Sequence, residues 1–458
     1  RSRLHPWPAA RWMPLATDRP PPGDEAAETR PRRTVCTTSF TYGLFLVFGV
    51  GSWLTVNGLF TELPLLVARL PEGWRLGSVL AVTVQLANVG PLVYYGARRL
   101  VLWLDPTGAR EEWATAGATY GVLLLGAASM LGLAAYWPET MWLGSVEHSV
   151  PLILFSFSAA LADCTSSLLF WRFAGGFQPL HVSALAAGEG LSGAVASGLA
   201  WMQGAARVEP NFSAGAYFAL LAAAMGASCV AYHALRIAGP LRAERRRWSL
   251  AVAPSVELGL PIAAGANGHE HTGHGGCSLP DGGDEVATMS WGPDVIALLV
   301  LQAWLNALQN GVSVSCLGLA AKPYGRDTYQ LAQAIALFID PLAAALGFRL
   351  HAGPGALLLL AVCLGGLYGY IVLLSLEVVT APLLLSGGSA LLVAVSSVGR
   401  ALTAYTKMRS NVLLQGAAPP GRAGTLLMWS GIVMQSGAFA GSVVMYVLIN
   451  FTELFRSG

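Results

Sequence analysis

Ionisable and amide side chains set inside long apolar runs are where this sequence can do chemistry. In the amino-terminal half these are Asn57, Gln85, Asn88, Asp163 and Glu189; in the carboxyl-terminal half they are Asn306, Gln309, Asn310, Gln330, Gln333, Asp340, Lys407 and Gln435. Such groups are costly in hydrocarbon, so they face a cavity, pair with one another or tie helices together. Amides offer donors and acceptors at once, which suits an uncharged polar solute. For Asp163, Glu189, Asp340 and Lys407 the alternative to a place on a solute path is mutual ion pairing. Glu189 and Asp340 are the candidates for binding and releasing a proton. A different class is an intramembrane aspartyl protease in which Asp163 and Asp340 share one proton. No His-Glu-x-x-His zinc motif and no activated Ser or Cys arrangement accompanies them.

The elements that must hold these residues follow from composition. Only 11% of the 458 residues are charged and 54% are hydrophobic, about half the usual charged share, which excludes a water-soluble globule. A net charge of +2 gives no argument for nucleic acid. Apolar runs recur at Phe40–Phe60, Leu76–Ala97, Ala114–Trp137, Ser149–Trp171, His181–Gln203 and Ala214–Leu235, then at Asp294–Leu319, Tyr329–Phe348, Gly355–Leu376, Pro382–Tyr405 and Ala423–Phe451. Each is about long enough to span a bilayer and too uniformly apolar for a barrel strand. The expected fold class is an all-α polytopic membrane protein of about eleven transmembrane helices in a 6+5 two-bundle arrangement. Residues 1–38 read as a disordered cytosolic tail, 39–236 as the first bundle, 237–292 as a Gly-rich cytosolic linker and 293–455 as the second bundle.

Positive charge sorts the connecting segments into two sets. One holds Arg30, Arg32, Arg33, Arg98, Arg99, Arg110, Arg172, the Arg236–Arg247 cluster, Arg349, Lys407, Arg409 and Arg422; the poorer set holds Glu62, Arg69, Glu72, Arg75, Glu139, Glu147, Arg207, Glu209, Lys322, Arg326 and Glu377. The amino terminus is therefore expected in the cytosol and the carboxyl terminus outside. Asn211-Phe212-Ser213, a glycosylation acceptor, falls in an outer loop on this assignment, whereas the Asn450-Phe451-Thr452 match lies close to the bilayer. Cys36, Cys164, Cys229, Cys277, Cys316 and Cys363 are scattered singly, which argues against a disulfide framework. His269, His271, His274 and Cys277 sit in the Gly-rich linker, where no fixed metal geometry is expected.

Interrupted spans are a second signal, since carriers bind solutes where helices break. Asn57-Gly58-Leu59-Phe60-Thr61-Glu62-Leu63-Pro64 ends the first run either as a solute vestibule or as a helix C-cap and turn. Lys322-Pro323-Tyr324-Gly325-Arg326 reads as a plain loop.

Several segments, in order, resemble the animal riboflavin transporter family of solute carriers. They are Gly51-Ser52-Trp53, Asn57-Gly58, Glu62-Leu63-Pro64, Leu70-Pro71-Glu72-Gly73-Trp74, Asp163-Cys164-Thr165-Ser166-Ser167, Gly188-Glu189-Gly190-Leu191-Ser192-Gly193, Asn306-Ala307-Leu308 with Asn310-Gly311, Pro323-Tyr324-Gly325, and Gly365-Gly366 with a following tyrosine. The similarity spans about Phe45 to Phe451 without the linker. It implies a sodium-independent riboflavin carrier in the plasma membrane, working by alternating access, with a fold similar to equilibrative nucleoside carriers and the major facilitator superfamily. It implies no cofactor and no metal.

Riboflavin has an aromatic ring system, an edge of donors and acceptors and a polyhydroxyl tail. Amides suit that edge, and Trp53, Tyr324, Tyr329 or Tyr368 suit the ring, although such aromatics also serve as packing or interface residues. The candidate solute contacts are Trp53, Asn57, Glu62, Gln85, Asp163, Thr165, Glu189, Asn306, Asn310, Tyr324 and Tyr329. A carrier of another small heteroaromatic solute, such as a nucleoside, is the alternative. The chain departs from the family at Phe170-Trp171-Arg172, at Asp340-Pro341 and along Ser313–Lys322. Where these positions touch solute, selectivity shifts.

Overall fold

A computed structural model describes residues 33–105, 109–239, 292–376, 387–417 and 423–455. The chain divides into two compact units, residues 1–40 and 41–458, and the second carries the helical architecture. The first 32 residues and nearly all of the expected linker, with its His269, His271, His274 and Cys277, lie outside the described residues.

The helices are α1 Arg33–Val50, α2 Leu54–Leu66, α3 Leu76–Leu86, α4 Val89–Leu104, α5 Ala109–Tyr136, α6 Val150–Ala174, α7 Pro179–Gln203, α8 Ala214–Ile237, α9 Pro293–Asn306, α10 Val314–Ala321, α11 Arg326–Arg349, α12 Pro354–Ser375, α13 Gly388–Ala417 and α14 Ala423–Phe451. Starts follow local chemistry: Pro179, Pro293 and Pro354 open α7, α9 and α12, where a missing N–H costs nothing, and Ser213 caps α8 through Ala216 N at 3.2 Å. Gly204, at φ +71°, ends α7 in the left-handed conformation that favours glycine. Strands β1 Met141–Leu143 and β2 Val146–His148 form an exposed antiparallel hairpin that the all-α expectation omitted.

Eight helical segments are long and apolar enough to cross a membrane among the described residues, and nine when α1 and α2 count as one bent span. Helices α7 and α13 occupy two further expected spans without meeting that apolar test. They carry Glu189 and, in α13, Arg400, Lys407 and Arg409 among many small residues, so their polar faces need protein around them. The tenth expected run shifts accordingly, placing Lys407 and Arg409 inside α13 rather than in a connection.

Three expected continuous helices are interrupted. The first bends by 55° at Gly51–Trp53, between α1 and α2. This corrects the expected break at Asn57–Pro64, which lies within α2. Pro64 offers no N–H to Phe60 O four residues earlier, and the Tyr329 hydroxyl of α11 donates to that carbonyl at 2.9 Å. A supplied partner is what lets a proline stay inside a membrane helix. The second run pauses between α3 and α4, at Ala87 and Asn88. The seventh contains a π-helical turn, Ala307–Ser313, between α9 and α10, and the expected plain loop after α10 is a 3₁₀ turn, Lys322–Tyr324.

Three arginines of the more positive set, Arg98, Arg172 and Arg236, pack against α5. Glu111 of α5 accepts from Arg98 of α4 at 2.6 Å and from Arg172 of α6, and Arg236 lies 5.2 Å over the Trp113 ring. From the other set, Glu72 accepts from Ser149 N at 2.7 Å and Arg69 lies 5.8 Å over Trp137. Among the described cysteines, Cys164, Cys229, Cys316 and Cys363 are free thiols.

Candidate functional site

Two halves of the molecule, residues 41–239 and 292–455, meet along α2 with α11, α7 with α11, and α3 with α14. At this seam a narrow cavity is lined by Phe60 of α2, Ser313 of the π turn, Val314 and Leu317 of α10, Tyr329, Ala332, Gln333 and Ala336 of α11, and Ser396 and Arg400 of α13. It has room for about one water molecule. Ser313, Val314 and Leu317 belong to the stretch that departs from the family pattern, so that departure lies on the cavity wall.

Of the candidate solute contacts, Tyr329 lines this cavity, joined by Gln333 from the wider set of interior amides. Its hydroxyl is committed to Phe60 O, and its ring lies 5.9 Å from that of Trp74. Next to it, Gln330 joins the halves by donating to Ala200 O at 3.0 Å and accepting from Ala206 N at 3.2 Å.

The structure gathers a second group around the α1–α2 bend. Glu189 of α7 accepts from Trp53 Nε1 at 3.0 Å and from Trp171 Nε1 at 3.1 Å. One turn along α2, Asn57 Nδ2 donates to Ser192 Oγ at 3.1 Å. Trp171 belongs to another departure from the family pattern, and its indole is what completes the hold on this carboxylate. The bend is pinned from the other side by Asp163 of α6, whose Oδ2 accepts from Val56 N at 2.9 Å.

A third group lies in the second half. Lys407 Nζ donates to Asn306 Oδ1 at 2.9 Å and to Gln309 Oε1 at 3.2 Å, while Asn310 Nδ2 also reaches Asn306 Oδ1 at 3.1 Å. Gln302 extends the chain, donating to Lys407 O at 3.0 Å and to Asn411 Oδ1 at 2.8 Å. The π turn puts Gln309 and Asn310 on this network, in keeping with the habit of such turns to sit at functional sites.

The remaining candidates stand apart. Glu62 is fully buried and accepts from Gln203 Nε2 at 2.9 Å. Gln85 accepts from Asn88 Nδ2 at 3.1 Å, beside Gln435 of the other half. Thr165 returns its hydroxyl to Leu161 O at 2.7 Å, and Tyr324 lies in the 3₁₀ turn off the cavity wall. Tyr368 is buried and its hydroxyl pairs with Thr403 Oγ1 at 3.1 Å, which takes it out of a stacking role.

Sequence reasoning missed Arg400. Its Nη2 donates to Asp340 Oδ2, with side-chain exposures of 15% and 23%. A lone arginine within an apolar run was the available signal. This pair removes the protease reading, because Asp163 bonds Val56 and Asp340 bonds Arg400, so no shared proton joins them. No group of three or more His, Cys, Asp or Glu residues fit to hold a metal occurs among the described residues.

The architecture is similar to that of known carriers. The xylose transporter XylE from E. coli, in its inward open conformation, aligns with a TM-score of 0.54 at 13% identity, covering 92% of each chain. The nucleoside transporter NupG aligns with a TM-score of 0.52 at 13% identity, covering 90% of this chain and 91% of its own. At such identities the likeness concerns the fold alone. Closer kinship lies in sequence. Riboflavin transporter 2 of Salmo salar is 29% identical over 92% of this chain and 98% of its own length. Solute carrier family 52, riboflavin transporter, member 2 is 30% identical in Sus scrofa over 93% of this chain and 97% of its own. The family described as solute carrier family 52, riboflavin transporter, matches residues 37–457. With a match that runs from the bent first span to the last described helix, this chain belongs to solute carrier family 52, the riboflavin transporters.

Proposed function

We propose that this chain carries riboflavin across the plasma membrane into the cell by alternating access, without coupling to sodium. The family match over residues 37–457 carries this reading. The seam cavity supports it, because a site between two halves with room for about one water must open on one side to admit a larger solute. The bend at Gly51–Trp53 and the π turn at Ala307–Ser313 supply one irregular element on each side of the seam. The proposed organisation is a first bundle at 39–236 and a second at 293–455, with about eleven spans. The amino terminus is then cytosolic and the carboxyl terminus extracellular.

The candidate contacts divide under this reading. Tyr329 sits at the cavity, Trp53, Asn57 and Glu189 control the bend, and Asn306 and Asn310 with Lys407 line the second-half interior. Glu189 and Asp340 remain the candidates for a proton-linked step. Asn211 is exposed between α7 and α8 as a glycan acceptor requires, with Nδ2 turned to Met202 O at 2.6 Å.

The test is radiolabelled riboflavin uptake in cells expressing the chain. Saturable uptake is expected, competed by unlabelled riboflavin, unchanged when sodium is replaced, and reduced in Asn57→Ala at matched surface amount. No uptake at full surface expression sinks the proposal and turns attention to nucleosides. A mobility shift lost in Asn211→Gln reports the outer loop. Unaltered pH profiles in Glu189→Gln and Asp340→Asn remove the proton-linked role.

A further inference from the structure

We propose that Gln333 and Arg400 read the imide edge of the flavin ring, where one N–H is flanked by two carbonyls. This rests on the riboflavin reading above. Both side chains line the seam cavity, Gln333 from α11 and Arg400 from α13, and these two helices pack along their lengths. Both have hydrogen-bonding capacity to spare. Gln333 is partly exposed and its amide has no protein partner among the described residues. Arg400 commits Nη2 to Asp340, while its Nε is buried without a partner. A buried donor left unpaired is uncommon enough to call for a function.

The two groups match one ligand chemistry. An imide needs a donor for each carbonyl and an acceptor for its N–H. The Gln333 amide supplies one acceptor and a donor, meeting the N–H and one carbonyl, and the Arg400 guanidinium supplies the donor for the other. Phe60 and Tyr329 on the same cavity give flat apolar surface for the fused rings. Asp340 is a positioning residue, because its bond to Nη2 fixes the plane of the guanidinium and offsets its charge. On the facing wall Val314 and Leu317 are apolar and Ser313 adds one hydroxyl.

The test pairs a ligand change with protein changes. In the parent, N3-methylriboflavin lacks the imide N–H and is expected to compete with labelled riboflavin about tenfold more weakly than riboflavin itself, since the Gln333 carbonyl is left unpaired. Gln333→Ala and Arg400→Lys are each expected to raise KM for riboflavin about tenfold, lysine keeping the charge and losing the fork; Gln333→Ala also brings the discrimination between the two ligands towards one, whereas Arg400→Lys leaves it unchanged, because both flavins keep the carbonyl that Arg400 serves. Asp340→Asn is expected to raise KM by less. The discrimination ratio separates recognition from folding, because a poorly folding variant lowers the maximal rate and leaves the ratio alone. Cys363→Ser, on an exposed helix face, is expected to keep the parental KM. Equal competition by the two flavins in a parent with saturable uptake, or variants with unchanged KM and ratio, overturns this assignment alone. A parent without saturable uptake overturns the riboflavin reading and this assignment with it.

Discussion

The two halves hold their interior ionisable groups differently, and only the second among the described residues does so with a pair of opposite charges, Arg400 and Asp340. In the first half, Glu62, Asp163 and Glu189 are carboxylates held by neutral donors: the Gln203 amide, the Val56 N–H and the two indoles of Trp53 and Trp171. In the second half the charges are mainly cationic. Lys407 rests on the amide oxygens of Asn306 and Gln309, and Arg400 is matched by Asp340. Neutral partners hold a charge without creating a second one that depends on it, whereas an ion pair leaves an uncompensated charge when either member goes. The second half is therefore more vulnerable to a single substitution at its pair.

The largest effect tests that contrast directly. Arg400→Gln is expected to lower stability by about 3 kcal/mol by stranding Asp340, with Asp340→Asn on the same chain recovering most of the loss. Glu189→Gln keeps one carbonyl for the indoles and is expected to cost about 1 kcal/mol. Unfolding of the purified protein in detergent measures both, and equal losses would break the comparison.

A smaller effect concerns packing that the halves share. A Cβ added at Gly188 would meet Leu46 O at 2.1 Å, and one at Gly437 would meet Ala303 O at 2.1 Å. Both obstacles are backbone, so the helix pair must separate in each half. Gly188→Ala and Gly437→Ala are each expected to cost about 2 kcal/mol in the same unfolding assay, while Gly366→Ala, with nothing within 4 Å, is expected to cost nothing. A loss confined to one half would show that close helix contact matters unequally.

A comparably small effect probes the seam. Tyr329→Phe removes the hydroxyl that serves the carbonyl freed by Pro64, and is expected to cost about 1 kcal/mol. If the seam is the moving part, riboflavin uptake should change in rate more than in KM; an unchanged rate would mark the bond as packing alone.

Particular residues show where the sequence was legible. Glu189, Asp163, Asn306 and Lys407 announced themselves because polar atoms inside long apolar runs demand partners. Arg98 and Arg172, which the charge sorting placed in one set, share Glu111 as a partner. Pro64 misled, since its local effect is a helix break and its remedy comes from a tyrosine 269 residues beyond Phe60. The bend settled instead at Gly51–Trp53, where Gly51 packs so close that a Cβ would lie 2.8 Å from Ser228 Cβ. Arg400 was passed over because its meaning depends on Asp340, 60 residues earlier in the chain.

By itself the sequence determined the helical membrane class and marked most of the interior polar residues, Arg400 excepted, because both depend on composition over a local stretch measured against a bilayer. Only the tertiary structure decided which of those polar residues meet. That choice depends on the rotation and bending of helices far apart in the chain, and it left Tyr329 mending α2, Glu189 clasping the bend, and Gln333 and Arg400 with hydrogen bonds still to make at the seam.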